Sequence, residues 1–351
     1  MEKKRNYGID LLRILLMFFI IIGHLFTHTG IREELAVYSD KWIFTWVMQA
    51  ITMCAVNCFI LITGYYMSTA EFSRKKVFKL WGQVLFFSAT IYLLAIIFRA
   101  TEFSFMGLIH SLFPVFSHQY WFFSCYILLY IFSPFLNTML KNLEEKHFKY
   151  LLAVLVFVFY LLPIFSIVFK EYDVTSGMSI IAFVTLYIFG AAIRRFDFKL
   201  SKWKCLIGLL INCALVFFSK ILLTIITSHF NLDVGTGLLY HYNSIFQLIN
   251  ALLLFLLFLQ IDIKGGVQKF ISVVSGTVFS VYLIHEHPVL RAWIWSETMK
   301  KWLLGLPFAY YMAATIAITV GVFIICFCIE LARALVVRFV KWIERRKTRT
   351  G

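Results

Sequence analysis

Apolar residues along this chain gather in blocks of about 20, while charged residues, Gly and Pro collect between them. A bilayer core about 30 Å thick needs roughly 20 apolar residues in helical form to cross it. The pattern therefore predicts an all-α, polytopic membrane protein with about ten transmembrane helices. The expected spans are 9–28, 43–66, 77–98, 119–139, 148–169, 178–193, 203–227, 240–260, 270–290 and 307–332. The sixth is the shortest, and the last opens on Pro307, a residue suited to a first helical turn. No internal repeat is visible and no soluble domain hangs off either end, so residues 1–351 read as one membrane-embedded domain.

Composition narrows the class further. Only 15% of the 351 residues are charged and 61% are hydrophobic, whereas a soluble chain carries about a quarter charged residues. A soluble enzyme, a secreted disulfide scaffold, a disordered tail and a nucleic-acid module are excluded. The net charge of +15 fits the excess of Lys and Arg on cytoplasmic loops. Twenty-four basic residues fall on the N-terminal side of the spans and seven on the other, with Arg13 and Lys220 inside them. Both termini are therefore expected in the cytoplasm, in a multi-pass cell-membrane protein. The seven Cys lie in apolar segments, and Cys54 and Cys58 have no His or second Cys pair near them at ligand spacing. Neither disulfides nor a metal site is expected. The first apolar run holds Arg13 and His24 and lacks a small-residue cleavage site, so it reads as a retained helix.

Ionisable residues inside spans are costly and mark function by default. The first helix carries Asp10, Arg13, His24 and His28. Arg13 and His24 are 11 positions apart, which places them on one helix face about 16 Å apart along the axis. Asp10, one turn before Arg13, can pair with it. A bland alternative is an Arg reaching the interface and a His bonded to a neighbouring helix.

The motif of an Arg, ten residues and a His in the first of ten helices resembles the acyltransferase type 3 family of integral-membrane O-acyltransferases, which modify cell-surface glycans. "NYGIDLLRI" resembles the family's entry to its first helix, and "NCFILITGYYM" its Asn…Phe…Ser-Gly-Tyr stretch, with Thr63 where Ser is common. "FSRKKVFKLW" resembles the basic loop that follows, although Arg74, Lys75, Lys76 and Lys79 depart from the Arg-x-x-Arg form of some members. "YWFFSCYILLYIFSPFLN" resembles the Trp…Tyr…Ser-Pro segment and "VFSVYLIHEHPVL" the late Tyr-Leu-x-His. The resemblance implies O-acyl transfer from acyl-CoA, acetyl-CoA above all, as a co-substrate rather than a tightly bound cofactor. The implied acceptor is a glycan or its lipid-linked precursor.

Helix directions give depths consistent with that chemistry. His24 is about 22 Å into the core, and His285 and Trp121 reach similar depths on other spans. His24, His285, Glu286, Tyr282 and Trp121 are thus expected to converge toward the external side as base, acceptor contacts and cavity wall. Imidazole suits general-base work near neutral pH. On the inner side Arg74 and Lys75, with Arg13 near the same leaflet, suit phosphates of the donor. Asn57 is expected to bond the thioester carbonyl or to orient His24, with helix–helix glue an equal alternative. Tyr240, Asn243, Gln247 and Asn250 form a polar stripe that could line the cavity, and Lys220 is expected to snorkel. The rival function is a transporter or flippase for a lipid-linked sugar, against which stands the absence of repeats and of paired broken helices.

Overall fold

Asn6 opens the first helix. Its Oδ1 accepts the Ile9 N–H at 3.1 Å while its Nδ2 donates to the Leu259 carbonyl, so one side chain caps the helix and ties it to another. The computed structural model describes residues 5–167, 175–231 and 236–350, and no strand occurs among them. Lys3, Lys4, Lys170 and the last two positions of the expected 148–169 span lie outside the described residues, as do the side chains of 340, 341 and 343–350.

The helices are α1 (Tyr7–His28), α2 (Ile31–Glu34), α3 (Asp40–Thr52), α4 (Ala55–Met67), α5 (Arg74–Ile97), α6 (Phe105–Leu112), α7 (Trp121–Asn142), α8 (Glu145–Val156), α9 (Ile180–Arg195), α10 (Lys202–Phe230), α11 (Ile245–Leu259), α12 (Val267–His285), α13 (Pro288–Ile294), α14 (Glu297–Gly305) and α15 (Phe308–Thr350). Nine of the expected ten spans are helices, single or joined, long and apolar enough to cross a membrane among the described residues. The sixth forms as α9 but has only 16 residues, below that length. It is nevertheless the most enclosed helix, pressed against α4 where Gly64 and Gly190 let the backbones meet. A Cβ on Gly64 would strike the Tyr187 carbonyl, and one on Gly190 the Leu61 carbonyl.

Three spans depart from their expected form. The second is broken between α3 and α4, because the Ala50 carbonyl that would continue the helix accepts from Asn250 Nδ2 instead. The 240–260 span is helical only from Ile245, where Ser244 caps the start, so Tyr240 and Asn243 precede the helix. The 270–290 span stops at His285, because Pro288 turns the chain into α13. In α7, Pro134 lacks the N–H that would bond Tyr130, and Ser133 Oγ donates to that carbonyl at 2.7 Å.

The first helix organises the bundle, packing on α3, α4, α11, α12 and α15. Its Ile9, Leu12 and Leu16 join one apolar cluster with α4, α9 and α11. Its Met17, Ile21, Leu25 and Phe26 join a second with α3, α12 and α15. With two sides of α1 packed, the Arg13–His24 face is left to the space between the clusters.

Candidate active site

Glu286 sits immediately after α12, at the turn that Pro288 enforces, and is only 3% exposed. Its Oε2 lies 2.9 Å from His24 Nδ1 and 3.1 Å from His28 Nε2, and its Oε1 accepts from Arg291 Nη1 at 3.0 Å. His24 and His28, one turn apart on α1, therefore grip the same carboxylate. Burial works to raise this carboxyl, and the charges and hydrogen bonds of the two imidazoles outweigh it, holding it well below the usual carboxylate range. The neighbouring His287 is pushed down to about 4 by burial, and its neutral ring donates from Nε2 to the Ser88 carbonyl, which fixes the turn to α5.

Hydrogen-bond partners assign the tautomers. His285 Nδ1 lies 2.6 Å from the Val281 carbonyl, a pure acceptor, so that nitrogen carries the proton and Nε2 is bare. That bare nitrogen is 3.0 Å from His24 Nδ1. His24 Nδ1 thus faces two acceptors, His285 Nε2 and the Glu286 carboxylate, and must supply the proton to both. Its Nε2 has no partner among the described residues, and in the neutral ring it is the nitrogen that keeps the lone pair. The same three ligand atoms, from His24, His285 and Glu286, lie within 4.8 Å of one another, and they are the residues that could hold a divalent ion.

At the other end of the stripe, Asp10 is 2% exposed and accepts from Arg5 Nε at 2.5 Å, Arg13 Nη1 at 3.0 Å and Ser275 Oγ at 3.1 Å. Arg13 spends one nitrogen on this pair, and its guanidinium lies 5.9 Å from the Tyr66 ring. Arg13, His24 and Glu286 all line one cavity of about 870 Å³. Along α1 it extends at least the ~16 Å between Arg13 and His24. The break between α3 and α4 opens into it through Thr52 and Met53. Trp121 and Tyr282 form part of its wall, with Trp121 5.9 Å from the Tyr242 ring.

Several expected residues stand elsewhere. Arg74 and Lys75 are exposed in the first turn of α5 and do not line the cavity. Asn57 does not reach His24: it is 1% exposed and its Nδ2 donates to the Tyr242 carbonyl at 2.8 Å, joining α4 to the segment before α11. Of the expected polar stripe, Tyr240 reaches the cavity, while Asn250 bonds the Ala50 carbonyl and accepts from Asn212. Lys220 does not snorkel: it is buried, bonded to Thr236 and 3.9 Å from the Trp46 ring centre. His28 and Arg291 were not foreseen as partners of Glu286; the i, i+4 spacing of His24 and His28 was the available signal.

The family model described as an acyltransferase domain matches residues 6–330, nearly the whole chain. No curated protein and no solved structure matches it.

Proposed function

The chain belongs to the acyltransferase type 3 family, and we propose that it moves an acyl group, acetyl foremost, from cytosolic acyl-CoA to a hydroxyl of a cell-surface polysaccharide or its lipid-linked precursor. The observation that carries this reading is the contact pattern of His24, whose Nδ1 faces both His285 Nε2 and the Glu286 carboxylate while its Nε2 has no partner among the described residues.

In the proposed reaction the acceptor hydroxyl gives its proton to His24 Nε2 as its oxygen bonds to the thioester carbonyl carbon. The adduct collapses with cleavage of the C–S bond, and His24 returns the proton to the departing sulfur. The imidazolium that forms between these steps lies against the Glu286 carboxylate, which favours it. Trp121 offers an aromatic face to a sugar ring, and Arg13 a cation to the donor or to a backbone oxygen.

Donor phosphates are assigned to the start of α5. Arg74, Lys75 and Lys76 occupy a helix N-terminus with no acidic residue in its first turn, an arrangement that is unfavourable alone and favourable with a bound anion. The charge asymmetry of the loops supports an orientation with this end and both termini in the cytoplasm and His24 toward the exterior.

The test is to incubate purified protein with acetyl-CoA and a glycan acceptor and to follow free thiol. Release by wild type that disappears in equally abundant His24→Ala protein is expected. Transport of intact solute without thiol release would replace this reading with a transporter. O-acyl content of the surface glycan, compared with and without the gene, identifies the acceptor.

A further inference from the structure

Tyr282 differs from four other buried tyrosines of the bundle. Tyr120, Tyr187, Tyr240 and Tyr311 each place the hydroxyl in a hydrogen bond, to Leu283, Asn137, Trp46 and Thr45 respectively. Tyr282 is 5% exposed and its hydroxyl has no partner. A buried hydroxyl without a partner costs stability, on the order of 1–3 kcal/mol. Tyr282 lies one helical turn before Glu286, its ring makes a T-shaped contact at 6.3 Å with His285, and it lines the cavity that His24 faces.

A second set of unused donors lies beside it. Trp121, Phe122 and Phe123 begin the 22-residue α7, and their backbone N–H groups have no acceptor among the described residues. Tyr120, at the capping position, contributes no side-chain cap and sends its hydroxyl to Leu283 instead. A helix start enclosed in protein without acceptors is unfavourable. The Phe122 ring is 5.6 Å from that of Tyr282, and Trp121 and Phe122 line the same cavity. Unused donors from two helices thus lie side by side at the wall of one cavity.

We propose that the Tyr282 hydroxyl and the first N–H groups of α7 bind the thioester carbonyl oxygen as it becomes an alkoxide, which makes Tyr282 a catalytic residue. This rests on the acyl-transfer reading above. When the acceptor oxygen bonds to the carbonyl carbon, the C=O π pair moves onto the carbonyl oxygen. Tyr282 donates a hydrogen bond to that oxygen and keeps its proton, while the acceptor's proton stays on His24. On collapse the pair returns, the C–S bond breaks and His24 protonates the sulfur. Donors fixed before the reaction stabilise the developing charge without reorganising.

The experiment is Tyr282→Phe in full-length protein, with thiol release from acetyl-CoA and thermal unfolding measured together. Loss of one such donor lowers kcat by about 100-fold or more, with KM for acetyl-CoA little changed. Because the hydroxyl removed was unpartnered, the unfolding midpoint should hold or rise. An undiminished kcat, or a loss of activity that follows a fall in the midpoint, overturns the proposal and makes Tyr282 a packing residue. A variant with 3-fluorotyrosine at position 282 keeps ring and hydroxyl while making the donor more acidic, so kcat should change at constant KM, and an unchanged kcat again overturns it. Wild-type protein inert toward acetyl-CoA brings down the acyl-transfer reading itself, an outcome distinct from an active wild type with an active Tyr282→Phe.

Discussion

Glu286 Oε2 lies 2.9 Å from His24 Nδ1, a contact between the first helix and the far end of α12. Its consequence is directional. A carboxylate and the bare His285 Nε2 both draw on the Nδ1 proton, so the basic nitrogen of His24 is the one turned away from them. His28 and Arg291 hold the carboxylate in turn, so its position does not depend on His24 alone.

Replacing Glu286 by Gln should lower kcat by at least about tenfold, because an amide does not stabilise the imidazolium as a carboxylate does. The same change should move the acid limb of the rate profile to lower pH. An anion favours the protonated imidazole, and removing it disfavours that form. A pH series on both proteins checks this, and an unmoved limb would detach Glu286 from the base.

Arg13→Lys should be well expressed yet lose at least about tenfold in activity, roughly 1.4 kcal/mol of transition-state stabilisation. Lysine keeps the charge but lacks the planar fork with which Arg13 bonds Asp10 through one nitrogen and offers the others to the cavity. Asp10→Asn should reduce abundance as well as activity, since one buried carboxylate serves Arg5, Arg13 and Ser275, and an amide presents donors to donors. Quantified membrane fractions assayed at equal protein separate the two effects.

Treatment with EDTA should leave turnover unchanged, because one proton on His24 Nδ1 already satisfies the three atoms that could ligate an ion. Activity lost to EDTA and restored by Zn²⁺ would reassign His24, His285 and Glu286 as ligands.

Arg74→Ala should raise KM for acetyl-CoA several-fold with a smaller effect on kcat, since Arg74 is exposed at the start of α5 and outside the cavity lining. Initial rates over a range of acetyl-CoA concentrations decide the matter. A pure kcat defect would move Arg74 away from the donor.

Gly64→Ala should sharply lower the yield of folded protein, because the new Cβ meets the Tyr187 backbone rather than a movable side chain. Size-exclusion behaviour in detergent gives the readout. Wild-type behaviour would mean that α4 and α9 can separate at little cost.

The spans, the pairing of Asp10 with Arg13 and the alignment of Arg13 with His24 were legible in the chain because each depends on local spacing and helical periodicity. The approach of His285 and Glu286 to His24 was expected in outline from matching depths, without the atoms that would touch. What Asn57 and Asn250 do was decided elsewhere: a buried amide bonds whichever carbonyl the packing brings to it, here those of Tyr242 and Ala50. The second of these bonds breaks the expected helix between α3 and α4 and opens it toward the cavity. The short sixth span marked no special position, yet Gly64 and Gly190 place it against α4, inside the bundle. Periodicity reports which face of a helix is apolar. Which neighbour that face meets, and which polar atoms are left without a partner, depends on contacts between residues far apart in the chain, and only the tertiary structure decides them.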